Sequence, residues 1–307
     1  MVCKGMNMEQ IVRAVNREPV ICQEKVGEVE YLTFPLLSAR KGITHAFSTR
    51  KGGVSEGVYA SMSLSFTRGD DAEKVHENYR RMASALHTDV SRMVCTFQTH
   101  TTNIRRVYQA DGGKGILYDR GYTDVDGLVT DDRNLCLVCF SADCVPLYFV
   151  DEEHGAIGLA HSGWRGTAAG MGRCMVERME QEFGTRPEQL TAAIGPSICQ
   201  DCYEVSEEVA EQFLELEKSI PGSANLLAEL TEKKAYPHGQ ILRPGKAEGK
   251  YQLDLWLANL LILRGAGIPL SQIQVTDVCT CCNSGYLFSH RVSGEKRGNL
   301  AAFLMMK

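Results

Sequence analysis

The chain has no apolar run approaching the ~20 residues that a membrane-spanning helix needs. Its longest, residues 135–141 and 253–263, fall far short. It has no Lys/Arg block with interleaved aromatics, and its net charge is −5. Phosphate-backbone binding needs a clustered positive field, so a nucleic-acid partner is not expected. Residues 1–24 lack an apolar core, with Lys4, Glu9, Arg13, Arg17 and Glu18 scattered through them, so no export signal is read there. There is also no internal repeat and no low-complexity tract. The expectation from these absences is a soluble cytoplasmic protein whose 12 cysteines serve as thiols or ligands rather than as a bridge framework.

What is present suits a folded domain. Hydrophobic residues make up 44% and charged residues 23% of 307, enough for a sizeable core without disulfide staples. Strand-like runs at 44–49, 135–140, 145–150, 155–161, 192–195, 273–278 and 300–305 alternate with helical patterns at 71–86, 167–183 and 252–264. Ser206 is expected to cap a further helix, and Gly184 and Gly265 to end two others. Residues 218–250, with several Pro and Gly, read as a long connection holding one short helix near 226–232. The apolar helix after it needs the earlier sheet to cover it. The expected fold class is therefore α+β, a single mixed α/β domain with mixed β-sheets flanked by helices. The catalytic domain is placed at 41–307, with an N-terminal segment of unclear role at 1–40.

Three segments combine reactive side chains with turn-forming neighbours: 97–100 (FQTH), 142–146 (ADCVP) and 160–166 (AHSGWRG). They place His100, Cys144 and His161 at strand ends, where a rigid element hands side chains to a pocket. One thiolate and two imidazoles suit Zn²⁺ and leave a fourth position for water or substrate. The plain alternative, a buried cysteine and two hydrogen-bonded histidines, stays open at this point. Cys199 and Cys202 form a C-x-x-C, and Cys279, Cys281 and Cys282 crowd together. These five would suit a structural zinc site, but no second C-x-x-C is read as completing the pattern, and they are taken as buried or surface thiols. His45, His76, His87, His154 and His238 look ordinary.

Taken together, Ser48–Ser55 (STRKGGVS), Gly69-Asp70-Asp71, Gln98-Thr99-His100, Asp126–Thr130 (DGLVT), Ala142–Pro146, His161–Thr167 (HSGWRGT), Ile194–Ile198 (IGPSI), Cys202–Val205 (CYEV), Cys279-Thr280 and Phe288–Arg291 (FSHR) resemble the laccase-domain family of purine nucleoside phosphorylases. That family is also called the multicopper polyphenol oxidase or peptidoglycan editing factor family. The resemblance runs from about residue 43 to the end. It implies that His100, Cys144 and His161 are zinc ligands. It also implies phosphorolysis of adenosine, inosine and methylthioadenosine, with adenosine deaminase activity beside it. Two departures touch the phosphate and ribose contacts: Ser63 stands where the family has Asn, and Val292 follows Arg291 where the family pairs two arginines.

The multicopper label fails on the sequence itself. Blue-copper and trinuclear centres need many imidazoles, whereas this chain has eight His and no His-x-His. Copper could enter only the single His100/Cys144/His161 site, where Cu²⁺ competes well with Zn²⁺.

Phosphorolysis needs an anion clamp, and the planar fork of arginine suits it. Arg50, beside Gly52-Gly53, is the first candidate, followed by Arg165, Arg291 and Arg297. Deamination needs a carboxylate to carry a proton. Asp143 is the nearest by sequence, although neighbours on a strand face opposite ways and a supporting role fits it as well. The competing readings are a metal-free cysteine hydrolase using Cys144 and His161, a copper-dependent polyphenol oxidase, and a non-catalytic binding module propped by zinc. The sequence carries no signal for oligomeric state.

Overall fold

The computed structural model describes residues 10–14, 20–232, 236 and 239–307. His238 and the charges Lys4, Glu9, Arg17 and Glu18 lie outside the described residues.

The strands make two six-stranded sheets and a small third one. In spatial order the first holds Cys22–Val26, Val29–Thr33, Ile43–Ser48, Leu300–Met306, Cys136–Ser141 and Met93–Cys95. The second holds Ile273–Val275, Thr191–Ile194, Val145–Asp151, Ala156–Ser162, Gly127–Thr130 and Ile104–Arg106. The third holds Glu204–Ser206, Lys250–Leu253 and Leu242–Pro244. Parallel and antiparallel pairings mix in both large sheets. This is the mixed α/β architecture expected from the alternating pattern.

Side-chain alternation along the central strands explains the layering. Leu137 and Cys139 face a core shared with Tyr148, Val150, Ile157 and Leu159 of the second sheet, so the two sheets pack face to face. Their alternates point the other way. Cys136, Val138 and Phe303 meet Val75, Tyr79 and Met82 of the helix Ala72–Ala85. Leu147 and Phe149 meet Met175 and Met179 of the helix Met171–Phe183, and the helix Leu255–Gly265 packs in the same cluster. Both faces of each large sheet are thus covered, which is why these strands are buried almost throughout.

Several boundaries differ from the sequence pattern. The helix expected at 167–183 is two helices, Trp164–Ala168 and Met171–Phe183, broken at Gly170 with φ 79°. Residues 252 and 253, read as the start of a helix, belong to the strand Lys250–Leu253, and Asp254 caps the helix that follows by accepting from Leu257 N. Ser206 stands before Glu207–Ser219 without a capping side-chain bond. His45 lies on the strand Ile43–Ser48, where the run at 44–49 puts it. The short helix of the long connection is present as Ser223–Glu232.

Residues 22–33 form a hairpin that adds two strands to the first sheet, joining it at Ile43–Ser48. One expectation about thiols fails: Cys22 is disulfide-bonded. Composition speaks for a population of cysteines, whereas a bridge needs only one pair with Cβ atoms ~3.5–4.5 Å apart. Among the described residues no helix is long and apolar enough to cross a membrane.

Candidate metal centre and its cavity

Three backbone devices bring His100, Cys144 and His161 together. His161 sits near the end of the strand Ala156–Ser162, rigid and 3% exposed. Cys144 occupies the tight turn between Cys136–Ser141 and Val145–Asp151, which closes because Asp143 takes φ 90° and Ser141 Oγ donates to Cys144 O at 2.5 Å. His100 is on a loop at φ 68°.

The loop is held by Asp126, a fully buried carboxylate. It accepts from the backbone N–H groups of Thr99 (2.9 Å), His100 (3.1 Å) and Thr101 (3.1 Å). Its Oδ1 also lies 2.8 Å from His161 Nδ1. Burial works against the charge on Asp126, but His161 and these backbone donors win and hold the carboxyl below its usual range. A ligating imidazole that donates its other ring nitrogen to a carboxylate is the usual support of a histidine metal ligand.

The donor atoms of His100, Cys144 and His161 all lie within 4.8 Å of one another, with Cys144 Sγ 4.0 Å from His100 Nε2. Gly163 keeps the space in front of them open. A Cβ on Gly163 would stand 2.9 Å from His100 Cδ2 and 3.0 Å from Cys144 Sγ. Burial raises the Cys144 thiol, yet His161 and His100 bring it down to about 6. Burial likewise lowers His161, but Cys144 and Asp126 carry it up to about 9. The pair therefore favours a thiolate beside a protonated imidazole, and a divalent cation would take the place of that proton. The donor types, the clearance at Gly163 and the carboxylate behind His161 fit a zinc ion with one coordination position left over.

The trio opens into a cavity of about 450 Å³. Its wall carries three arginines, Arg68, Arg120 and Arg297, and the aromatic rings of Phe66, Phe97, Tyr118 and Phe140. Arg297 is only 6% exposed, its Nε has no hydrogen-bond partner, and it donates to Gly298 O and Asn299 Oδ1; among the described residues it forms no ion pair with a carboxylate. Burial, and then the charge of Arg68, push it below the ordinary arginine range. Arg68 is paired with Glu295, whereas Arg120 donates to Thr96 O and stacks over Phe97.

The other expected residues fall elsewhere. Arg50 does not line the cavity. It donates to Ala60 O at 2.9 Å and Ser284 O at 2.8 Å and lies over Phe288. The glycines after it serve the chain's own packing, because a Cβ would come within 2.2 Å of Glu28 O at Gly52 and 2.0 Å of Ser61 O at Gly53. Arg165 is exposed and lies over Trp164. Arg291 donates to Glu204 O and lies over Tyr203. The Asp143 carboxylate accepts from Thr280 Oγ1 (2.6 Å), Ser289 Oγ (3.1 Å) and Arg291 N (2.6 Å), so it braces the Cys144 turn from behind. Ser63 is buried with its hydroxyl unpartnered, and its Cβ packs close to Gly298.

Sequence reasoning gave Asp126 and Gly163 no role, although both sit inside the motifs noted above. A buried Asp at a strand start and a Gly two residues after a ligand were the signals available. It also passed over the second C-x-x-C. Cys279 and Cys282 have that spacing, with Cys281 between them. The Sγ atoms of Cys199, Cys202, Cys279 and Cys282 lie within 4.8 Å of one another, a grouping that the reading of them as separate buried or surface thiols did not expect.

A family model described as multi-copper polyphenol oxidoreductase laccase matches residues 44–307. The chain is 34% identical over 276 residues to a purine nucleoside phosphorylase of Bacteroides thetaiotaomicron, covering 90% of this chain and 96% of the relative. It is 36% identical over 283 residues to the purine nucleoside phosphorylase YlmD of Geobacillus stearothermophilus, covering 92% and 95%. It is 32% identical over 255 residues to the adenosine deaminase RL5 of an unknown prokaryotic organism, covering 82% and 90%. The crystal structure of YlmD from Geobacillus stearothermophilus superposes with a TM-score of 0.81 at 33% identity, over 94% of this chain and all of that one.

Proposed function

Because the chain belongs to the multi-copper polyphenol oxidoreductase laccase family, whose relatives here are named purine nucleoside phosphorylases and an adenosine deaminase, we propose that it is a purine nucleoside phosphorylase. Its substrates are adenosine, inosine and methylthioadenosine with phosphate, and it deaminates adenosine as a side activity. The observation that carries this reading is that the His100/Cys144/His161 donors and the buried Arg297, which forms no ion pair among the described residues, line one cavity.

Each part of the reaction has a residue suited to it. Arg297 carries a positive charge that burial and Arg68 make costly, and an oxyanion relieves both costs. It is the phosphate clamp in this reading, in place of Arg50. The rings of Phe97 and Phe140 offer flat apolar faces to a purine, and Arg120, in the same cavity wall, lies over the ring of Phe97. Asp126 keeps His161 oriented and His100 in place. Asp143 positions the Cys144 turn and transfers no proton itself. Zinc held by His100, Cys144 and His161 would supply a Lewis acid at the cavity floor.

A second reading has a specific observation behind it. Cys144, His161 and Asp126 line up as thiolate, imidazole and orienting carboxylate, as a metal-free cysteine hydrolase requires. His100 and the clearance at Gly163 have no part in such a mechanism. A copper polyphenol oxidase would need further imidazoles, and a zinc-propped binding module would need a closed four-ligand site rather than an open trio.

The test is release of adenine from adenosine by the purified chain, with and without inorganic phosphate, before and after treatment with a chelator. Phosphate-dependent release that is lost on chelation supports the proposal. Release that ignores both phosphate and chelator sinks it.

A further inference from the structure

Behind the Cys144 turn, two C-x-x-C segments far apart in sequence meet. Residues 191–194 and 273–275 run as neighbouring parallel strands, with Ile194 opposite Val275. The pairing continues past the strand ends, through Thr276 N donating to Ile194 O and Thr280 N to Ser197 O, with Ser197 opposite Cys279. Both chains then turn at the same end of the sheet, one through Cys199 to Cys202 and the other through Cys279 to Cys282.

The thiols converge with the dimensions of a metal tetrahedron. Zn–S bonds of ~2.3 Å in a regular tetrahedron set S···S edges of ~3.8 Å. Cys202 Sγ to Cys282 Sγ is 3.5 Å and Cys199 Sγ to Cys282 Sγ is 4.0 Å. All four sulfurs lie within 4.8 Å of one another. A disulfide needs ~2.05 Å, and all four cysteines are free. A second observation points the same way. Cys279 Sγ, fully buried, accepts from two backbone N–H groups, Cys199 N at 3.2 Å and Cys282 N at 3.4 Å. Sulfur is a weak acceptor as a thiol and a good one as a thiolate, so this cradle suits a metal-bound sulfur.

We propose that Cys199, Cys202, Cys279 and Cys282 bind a second zinc ion as a closed tetrathiolate site with a structural task. Four soft donors with no fifth position favour zinc held for stability rather than for catalysis. What the ion fixes is visible in the neighbours. Thr280, inside the second C-x-x-C, donates to Asp143 Oδ1 at 2.6 Å, and Asp143 shapes the turn that presents Cys144. Tyr203, next to Cys202, lies under Arg291, whose backbone N–H also holds Asp143. The ion ties two loops together directly behind the cavity.

The experiment is metal analysis of the full chain purified under reducing conditions without chelator, read independently of activity. The informative protein is the His100→Ala/Cys144→Ala variant, which lacks two of the three donors of the cavity site. It is expected to retain about one equivalent of zinc and, when loaded with Co²⁺ instead, to show the intense sulfur-to-cobalt absorption of a tetrathiolate. Cys202→Ser/Cys282→Ser changes the two less buried ligands and should remove that equivalent and that absorption. Cys281→Ser should leave both. A metal-free His100→Ala/Cys144→Ala protein overturns the proposal, as does a disulfide within the quartet found by non-reducing peptide mapping. If the double serine variant does not fold, the cobalt spectrum of the His100→Ala/Cys144→Ala protein decides alone.

Discussion

Asp126 Oδ1 stands 2.8 Å from His161 Nδ1, while the same carboxylate accepts from the backbone N–H of His100 at 3.1 Å. One buried side chain thus orients two of the three candidate ligands, which come from segments far apart in the chain.

The Asp126→Asn variant keeps the shape of this support but removes its charge and offers a donor where His161 needs an acceptor. Metal affinity at the cavity site should fall by roughly 10- to 100-fold, the usual cost of losing such a partner. Chelator competition on the folded variant measures it. An unchanged affinity would leave Asp126 as a loop organiser alone.

Gly163→Ala isolates the clearance in front of the ligands. Gly163 has φ −64° and ψ 175°, a conformation alanine adopts freely, so the backbone is not strained. The new methyl would instead meet His100 Cδ2 at 2.9 Å and Cys144 Sγ at 3.0 Å. We expect a folded protein whose cavity site binds zinc poorly, read by elemental analysis beside circular dichroism. Full zinc occupancy would show that the ligands rearrange around the methyl.

Arg297 and Arg50 separate by what their conservative variants damage. Arg297→Lys keeps the charge but loses the fork, and should lower kcat/KM for phosphate by roughly 10- to 100-fold, the loss of about 1.5–3 kcal/mol for a charge-assisted bond. Adenosine deamination, which uses no phosphate, should fall much less. Arg50→Lys leaves Ala60 O and Ser284 O short of their donors and should destabilise the fold by about 1–3 kcal/mol, with no selective effect on phosphate. The pair of measurements is phosphate kinetics for each variant and urea unfolding for each. A selective phosphate defect in Arg50→Lys, with Arg297→Lys unaffected, would reverse the assignment.

The strands were legible because burial on both faces leaves continuous apolar runs such as 136–141 and 145–151, and the helix Ala72–Ala85 because its core face repeats at helical spacing. The break at Gly170 was not, because the apolar face of Met171–Phe183 masks a left-handed glycine in a longer pattern. His100, Cys144 and His161 stood out by residue type, but only the family resemblance made a ligand set of them, because their long spacing carries little signal and His100 comes in on a loop rather than a strand end. Among the arginines, Arg297 was named only behind Arg50, and Arg68 and Arg120, which line the same cavity, were not named. Arg50 has the better local signature, a strand followed by glycines, yet its guanidinium is satisfied by carbonyls from 60 and 284, contacts that only the tertiary fold creates. The cysteine quartet was hidden for a related reason. Its two halves are joined by parallel strand pairing, which leaves no trace in local sequence.

His45 gives the fold a pH dependence separate from the metal centre. It is 5% exposed, between Phe34 and Tyr148, and its Nε2 accepts from Phe34 N at 2.7 Å. Burial brings it from 6.5 down to about 4. A proton on Nε2 would also set two donors against each other. Glu24 and Lys307 line the crevice beside it, one of each sign. The folded pKa is below the unfolded one, so between about 6.5 and about 4 the unfolded chain binds a proton that the folded chain does not. Stability from this group is therefore complete above the unfolded pKa and declines as pH falls through that window, by on the order of 3 kcal/mol at its lower end. Below the folded pKa the loss levels off. Other carboxylates and histidines titrate as well, so the useful quantity is the difference between wild type and His45→Gln, whose amide oxygen can still accept from Phe34 N but takes up no proton. Urea unfolding at pH 7, 5.5 and 4.5 should show wild type losing ground to His45→Gln as the pH drops. A difference that stays constant across the three values would mean that His45 does not resist protonation in the folded state.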